Sequence, residues 1–249
     1  MPSVNKLDIF KIVSVCLIAF VVVSCKSYFS VITIETPGPA KQELPQDIQS
    51  LTLMNRSMNK QFATHHPDTL QLYFFNNGYQ LSVVVLDSLA SDTTLRALGE
   101  LLFSSGRFDV VIPVERNIER TINYNMVPDT LSPVYVNEQL EKYNTDALMV
   151  LEKFSMKVMT DFATERFYDR YSGSQYEFFA SMDLKYDALF RIYKPGRKTQ
   201  DILVSDTIYW EGAENSQVRL FSRHPSVKQA LINGGIKIAL DVDSKISPA

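Results

Sequence analysis

The clearest periodicity lies in the second half of the chain. Every even position from Tyr176 to Ile192 is apolar or aromatic, while Glu177, Asp183, Lys185, Asp187 and Arg191 fall at odd positions. An alternation of two over that length predicts one long strand, straight or with one bulge, with a buried and a wet face. Residues 148–160 partly mirror it, which puts Leu148, Val150, Phe154, Met156 and Val158 on one side and Lys153, Ser155 and Lys157 on the other. The stretch from Asp161 to Ser174, polar and aromatic-rich with Gly173 near its end, is expected to be the turn joining the two strands in an extended antiparallel hairpin. A third strand over Ile202 to Trp210 follows the Lys194-Pro195-Gly196-Arg197 turn and completes a meander.

Upstream, the period shifts to 3.6. Leu95, Leu98 and Leu102 mark a helix that Asp87 or Ser91 can cap and Gly106 follows, and it delivers directly into Phe108, Val110 and Ile112, an alternating strand. Ser132-Pro133 is an N-cap and first-turn pair for a second helix, with Val136, Leu140 and Tyr143 on one face and Asn144 able to end it in the left-handed region. Ala147 to Leu151, apolar on both faces, then reads as a central strand. Ser50 to Asn55 reads as an earlier strand, and Val31 to Ile34 as the first. Between Leu70 and Leu86 the pattern is ambiguous, although Asn77-Gly78 is a hairpin signal. A last helix begins after His224-Pro225, with Val227, Leu231, Gly234, Ile238 and Val242 on one face. Its Gly234-Gly235 pair costs ~1 kcal/mol per residue against alanine, so a backbone or sheet surface is expected to approach closely there.

Residues 1–25 are organised differently. Lys6 and Lys11 precede an apolar run from Ile12 to Val23 that is too short to cross a hydrocarbon core of ~30 Å as a helix, which favours a signal peptide over an anchor. Val22-Val23-Ser24-Cys25 resembles the lipobox of bacterial lipoproteins, in which cleavage leaves a diacylated cysteine as the first residue. The resemblance implies a signal peptide over 1–24 and lipid on Cys25, followed by a lipidated tether with the first strand over 25–46; no internal repeat or linker divides residues 47–246, which read as a single α/β domain. Cleavage there removes Cys16 and leaves no cysteine free for a disulfide or a thiolate metal site.

The 249 residues carry 25 Lys+Arg against 28 Asp+Glu, a balance that does not suit a nucleic-acid binder and gives no basic excess for anionic headgroups. The acyl chains are therefore expected to hold the protein to the membrane. Catalytic signatures are missing: the sequence has no G-x-S-x-G elbow, no P-loop and no Gly-rich dinucleotide turn. His65-His66 has no metal-ligand spacing around it, so a solvated loop is expected, and His224 before Pro225 is expected to be a helix-entry residue. Asp241 and Asp243 are expected on a solvated face. The expectation is no enzyme, no cofactor and no metal. One cluster stands out as more than core: Phe167, Tyr168, Tyr171 and Tyr176, among charged neighbours at the hairpin end, are the candidate interaction residues.

The helix ending in Ser104-Ser105-Gly106-Arg107-Phe108-Asp109-Val110-Val111, and the strand entered by Asn144-Thr145-Asp146-Ala147, resemble the α/β domain shared by the N-terminal part of TolB and the curli-secretion (CsgG-like) lipoproteins. With its lipobox, Pro39-Ala40, Leu44-Pro45 and Asn55-Arg56, the chain is more closely similar to an uncharacterised lipoprotein family of Bacteroidota. The resemblance implies an α/β (α+β) fold: a mixed sheet with helices packed on one face and an extended antiparallel hairpin. It transfers no catalytic residue. The reading that follows is a membrane-anchored, non-enzymatic module that meets another envelope protein; the alternatives are a subunit of an oligomeric export channel and a glycan-binding module. Lys26 is not the aspartate that retains enterobacterial lipoproteins in the inner membrane, and Ser27-Tyr28-Phe29-Ser30 lacks an acidic surface-export signal. An outer-membrane location on the periplasmic face is therefore expected.

Overall fold

The period-two run forms the spine of a six-stranded mixed sheet. The computed structural model describes residues 42–59, 81–120, 122–171 and 173–247. Cys25, the Val31 to Ile34 run, His65-His66 and the Asn77-Gly78 hairpin signal lie outside them. The elements are β1 (Ser50–Asn55), β2 (Leu81–Val85), α1 (Ser88–Ser104), β3 (Asp109–Val111), α2 (Pro133–Tyr143), β4 (Ala147–Asp169), β5 (Gly173–Tyr193), β6 (Gln200–Glu214), α3 (Gln217–Arg223) and α4 (Val227–Ile246). Strand order is β3-β1-β4-β5-β6, and β2 pairs with β4 further along. β1 runs parallel to both β3 and the start of β4, whereas the pairs β2–β4, β4–β5 and β5–β6 are antiparallel. The fold is thus the mixed α/β architecture expected, with β4-β5-β6 as the meander.

Local chemistry explains the helix ends. Asp87 caps α1 by accepting from the Leu89 amide at 2.9 Å. Ser132 caps α2 by accepting from the Tyr135 amide, with Pro133 in the first turn. Asn144 closes α2 at φ 52°, the single non-glycine residue among those described with positive φ. In α4, Gly234 faces the sheet, where an added Cβ would sit 2.5 Å from Leu184 Cδ2, and Gly235 faces α1, where it would sit 2.8 Å from the Ala90 carbonyl oxygen. The close approach expected at this pair is therefore to two different surfaces.

Four expectations need correction. Helices do not all share one face. α1 and α4 cover the main core with Leu51, Leu53, Met149, Leu184 and Phe190, but Val136 and Leu140 of α2 pack with Met54, Leu148, Val150 and Tyr193 on the other side. The connection from β1 out to β3 and the one back past β1 to β4 run in opposite directions, so right-handed crossovers put their helices on opposite faces.

Secondly, Leu148 and Val150 do not share a face with Phe154, Met156 and Val158. The register of β4 against β5 shifts between Leu151 and Lys153. The extra residue at Glu152 is a β-bulge, and it exchanges odd and even positions from there onward. Thirdly, Asp161 to Ser174 is mostly strand. The ladder continues to Asp169 opposite Gly173, so only the residues between them turn. His224, just before the last helix, is buried, with Nδ1 3.0 Å from the Leu220 carbonyl oxygen and Nε2 3.2 Å from that of Ala180. Finally, Asp241, expected on a solvated face, is half-buried and structural: it accepts from Tyr186 Oη and Lys237 Nζ. The Tyr186 hydroxyl is pushed well above its ordinary range by burial first and by Asp241 second. The even-position stripe is covered as well: Met182, Leu184 and Tyr186 are fully buried, with α4 packed against β5. An export channel that turned this stripe to lipid would have to remove that helix.

Candidate interaction surface

Open α/β sheets commonly bind ligands beyond the C-terminal ends of their parallel strands, so the space after β1 and β3 is the first place to look. The chain itself fills it. Asn117 bridges to Asn55 in parallel, the Asn55 amide donates to the Arg116 carbonyl at 2.8 Å, and the Ile118 amide donates to the Asn55 carbonyl at 2.7 Å. Arg120, 4% exposed, pins the rest of that loop by donating to the carbonyl oxygens of Glu152 (2.7 Å), Asn123 (2.8 Å), Ser57 (3.4 Å), Tyr124 (3.4 Å) and Met126. What is left is an open depression of about 390 Å³. Its charged groups are already paired, Asp92 with both Arg96 and Arg116.

Behind the loop lies a polar cluster that the sequence did not single out. The bulge turns Glu152 fully inward, where Tyr193 Oη donates to its Oε1 and Arg56 Nη1 stands 3.5 Å from Oε2. Burial raises the Glu152 carboxyl above its ordinary value, against the opposing pull of Tyr193, Arg56, Arg191 and Arg120. Burial together with Glu152 pushes the Tyr193 phenol up to about 12. Next to them Arg191 makes a two-pronged pair with Asp201, which holds that carboxyl below its ordinary range. Each charge here meets a partner from another element, the pattern of a structural network.

The network gives a pH signature of definite sign. A buried acid with a raised folded-state value binds its proton more tightly when folded, so stability falls as pH rises from about 4.5 through that raised value. Asp47, Asp146 and Asp201 are lowered instead; their contributions are present above about 3.9 and fade as pH falls below it. Urea titrations across pH should therefore show the stability of the wild-type protein minus that of Glu152→Gln shrinking as pH rises above this lower limit. A difference independent of pH would mean that Glu152 does not carry the burial cost.

The four aromatic candidates sit on the hairpin beyond the last residues paired by β2 and β6. β2 reaches Thr160 of β4, and β6 reaches Phe178 of β5, so 165–169 and 173–177 form a two-stranded ribbon among the described residues. The structure separates the four. Tyr168 and Tyr176 lie on the same side as the core, Phe167 lies on the opposite side, and Tyr171 is in the turn. All four are exposed, Tyr171 at 97%. Arg166 stands 5.9 Å from the Tyr176 ring centroid. Closer to the body, Phe162 stacks on Phe178 at 6.2 Å and meets Phe221 of α3 at 5.6 Å, so those two rings belong to the core's end. Among the described residues no group of three or more acids, histidines and cysteines could hold a metal, and no helix is long and apolar enough to cross a membrane.

A family model described as a domain of unknown function (DUF8603) matches residues 48–249. No curated protein matches the sequence. Among solved structures, the rare lipoprotein B from Shewanella oneidensis is similar at 11% identity, over 43% of this chain and 76% of that one, with a TM-score of 0.20. A likeness that slight carries no argument about function.

Proposed function

The chain belongs to the DUF8603 family, and from that premise we propose that it is a non-enzymatic lipoprotein module that presents its long hairpin to another protein of the cell envelope. One observation carries the reading: a ribbon extends past the rest of the sheet and carries exposed aromatic rings at its end, Tyr168 and Tyr171 the most exposed of them. An isolated domain gains no stability from apolar rings in water, whereas a docking surface does. The proposal places the signal peptide over 1–24, the lipid on Cys25 and one domain over 47–246, as in the Bacteroidota lipoproteins and the TolB and CsgG-like domain that the sequence resembles. It places the protein at the periplasmic face of the outer membrane.

The way the chain joins the domain supports this orientation. The Gln42 amide donates to the Lys245 carbonyl at 2.8 Å, its own carbonyl accepts from Gln200 Nε2, and Asp47 pairs with Lys194 and Arg197. Of those partners, Lys194, Arg197 and Gln200 lie at the turn between β5 and β6, the end of the sheet opposite Tyr171. Several acyl chains, each contributing ~0.8 kcal/mol per buried methylene, make the anchoring permanent on the time scale of the cell.

A photo-crosslinking residue in place of Tyr171 should yield one discrete adduct in envelope membranes, and Cys25→Ala should leave an uncleaved precursor or a soluble form. Uncrosslinked protein alone from positions 168 and 171 would remove the contact. A Cys25→Ala protein that is cleaved yet stays with the outer membrane would remove the lipid.

A further inference from the structure

The ladder registers bring together residues far apart in sequence on the sheet face not covered by α1 and α4. From the hairpin end inward, the rows on this face are Phe167 with Gln175, Glu165 with Glu177, and Ala163 with Phe179 and Ala213; Asp161 with Ser181 and Glu211 follows, then Met159 with Asp183 and Tyr209. These five rows contain five acids and no lysine or arginine. Glu165 and Glu177 stand directly opposite each other, an arrangement that destabilises an isolated sheet. Burial raises the Asp183 carboxyl above its ordinary value, and the nearby Glu211 adds to that rise. Basic residues on this face begin only in the rows further in, at Lys157, Lys185 and Lys153, and Lys153 is paired with Asp187. Arg166, although adjacent in sequence, is on the other side over Tyr176.

The acids are interleaved with apolar surface. Phe167 is 46% and Tyr209 65% exposed, and a groove of about 210 Å³ runs between Asp161 and Glu211 beside Phe179. We infer that this distal face docks a lysine- and arginine-bearing polypeptide segment of the partner, the acids meeting its charges and Phe167, Phe179 and Tyr209 its side-chain stems. The spread decides the kind of occupant. Six residues of strand separate Glu177 from Asp183, on the order of 20 Å, and β4 to β6 is ~10 Å across two strand spacings. One ion cannot bridge that area, and a chain with cationic side chains spaced along it can. A second copy of this protein is less well matched, because the basic end of the face offers three lysines, one already paired, against five acids. Aromatic rings beside carboxylates suit cations with apolar stems, since the ring faces add a cation–π attraction.

This inference rests on the hairpin reading and narrows it, and its test separates the two. Binding of a fluorescein-labelled alternating Lys-Thr peptide to the soluble domain would be followed by anisotropy from 20 to 150 mM salt (on the order of Debye lengths of 20 to 8 Å). Glu165→Gln, Glu177→Gln and Glu211→Gln together should weaken binding at least tenfold and flatten the salt dependence. Removing the opposed pair leaves the fold intact, checked by an unchanged or raised melting temperature. Neutralising three exposed acids elsewhere, Glu100, Glu115 and Glu138, should change the affinity less than twofold. Equal losses in both triple variants, no binding by the wild type, or a doubled mass by sedimentation would overturn the assignment. The crosslink from position 171, measured in the first triple variant, tells the failures apart: an adduct that persists at full yield keeps the hairpin contact and removes the acidic docking face.

Discussion

Gly235→Ala should destabilise the domain by about 2–3 kcal/mol, while Gly234→Ala, one residue earlier in the same helix, should stay within about 1 kcal/mol of wild type. Helix propensity predicts the opposite of a loss for both, since alanine gains ~1 kcal/mol over glycine in a helix interior. What separates them is the surface each one meets. A methyl group on Gly234 would press on Leu184 Cδ2 and Met156 Cε, the far ends of flexible side chains that can turn aside. A methyl group on Gly235 would press on the Ala90 carbonyl oxygen at 2.8 Å and Thr94 Oγ1 at 3.0 Å, and that hydroxyl already donates to that carbonyl. To relieve the contact α1 must move as a body. Moving it lifts Leu95, Leu98 and Leu102, all fully buried, from the sheet. Urea midpoints of the two variants provide the comparison. A Gly235→Ala protein at least as stable as wild type would mean that α1 and α4 do not approach as closely as described.

The same glycine pair illustrates what could be read from the chain alone. Two adjacent glycines inside an otherwise periodic helix mark a close approach, because nothing else accounts for the lost propensity; which surface approaches is decided by packing between elements distant in sequence. The 176–192 alternation was legible because one face of β5 is buried over most of that stretch, from Ala180 to Ile192. The outer hairpin was not, because a two-stranded ribbon is wet on both sides, so Thr164-Glu165-Arg166-Phe167 carries no burial alternation and looks like a turn. The bulge at Glu152 was hidden for a different reason. A lone glutamate between Leu151 and Lys153 normally faces water, and only the register shift reveals that it turns inward and reverses the faces of the strand. The candidate tyrosines could be named from composition, but the acidic face beside them needed the ladder, since Asp161, Glu177 and Glu211 belong to three different strands. Arg120 escaped notice for the same reason as Glu152: charged residues read as surface unless their partners are known.

Arg120→Met should cost about 3–5 kcal/mol, the other large effect expected here, and it should act regionally before it acts globally. Methionine nearly preserves the volume, so packing is not the main loss. Arg120 serves the carbonyl oxygens of Ser57, Asn123, Tyr124, Met126 and Glu152, from three separate segments, through two terminal nitrogens. Removing it leaves buried acceptors without donors, at about 1–3 kcal/mol for each one that water cannot reach. Burial lowers the guanidinium's affinity for its proton, with Glu152 opposing; the group nevertheless stays charged throughout the accessible pH range. Its loss therefore also withdraws a cation from beside Glu152. The Glu152 carboxyl should then rise further, so the decline of stability with increasing pH becomes steeper in Arg120→Met than in wild type. Hydrogen exchange should quicken first over residues 116–131, the loop that fills the space beyond β1 and β3, while amides of the β5–β6 ladder keep protection up to the reduced global stability. Arg120→Lys should fall between the two, because an ammonium keeps the charge and cannot span the same set of carbonyls. An Arg120→Met protein with wild-type stability and unaltered exchange in that loop would show that the loop is held by its pairing with Asn55 alone.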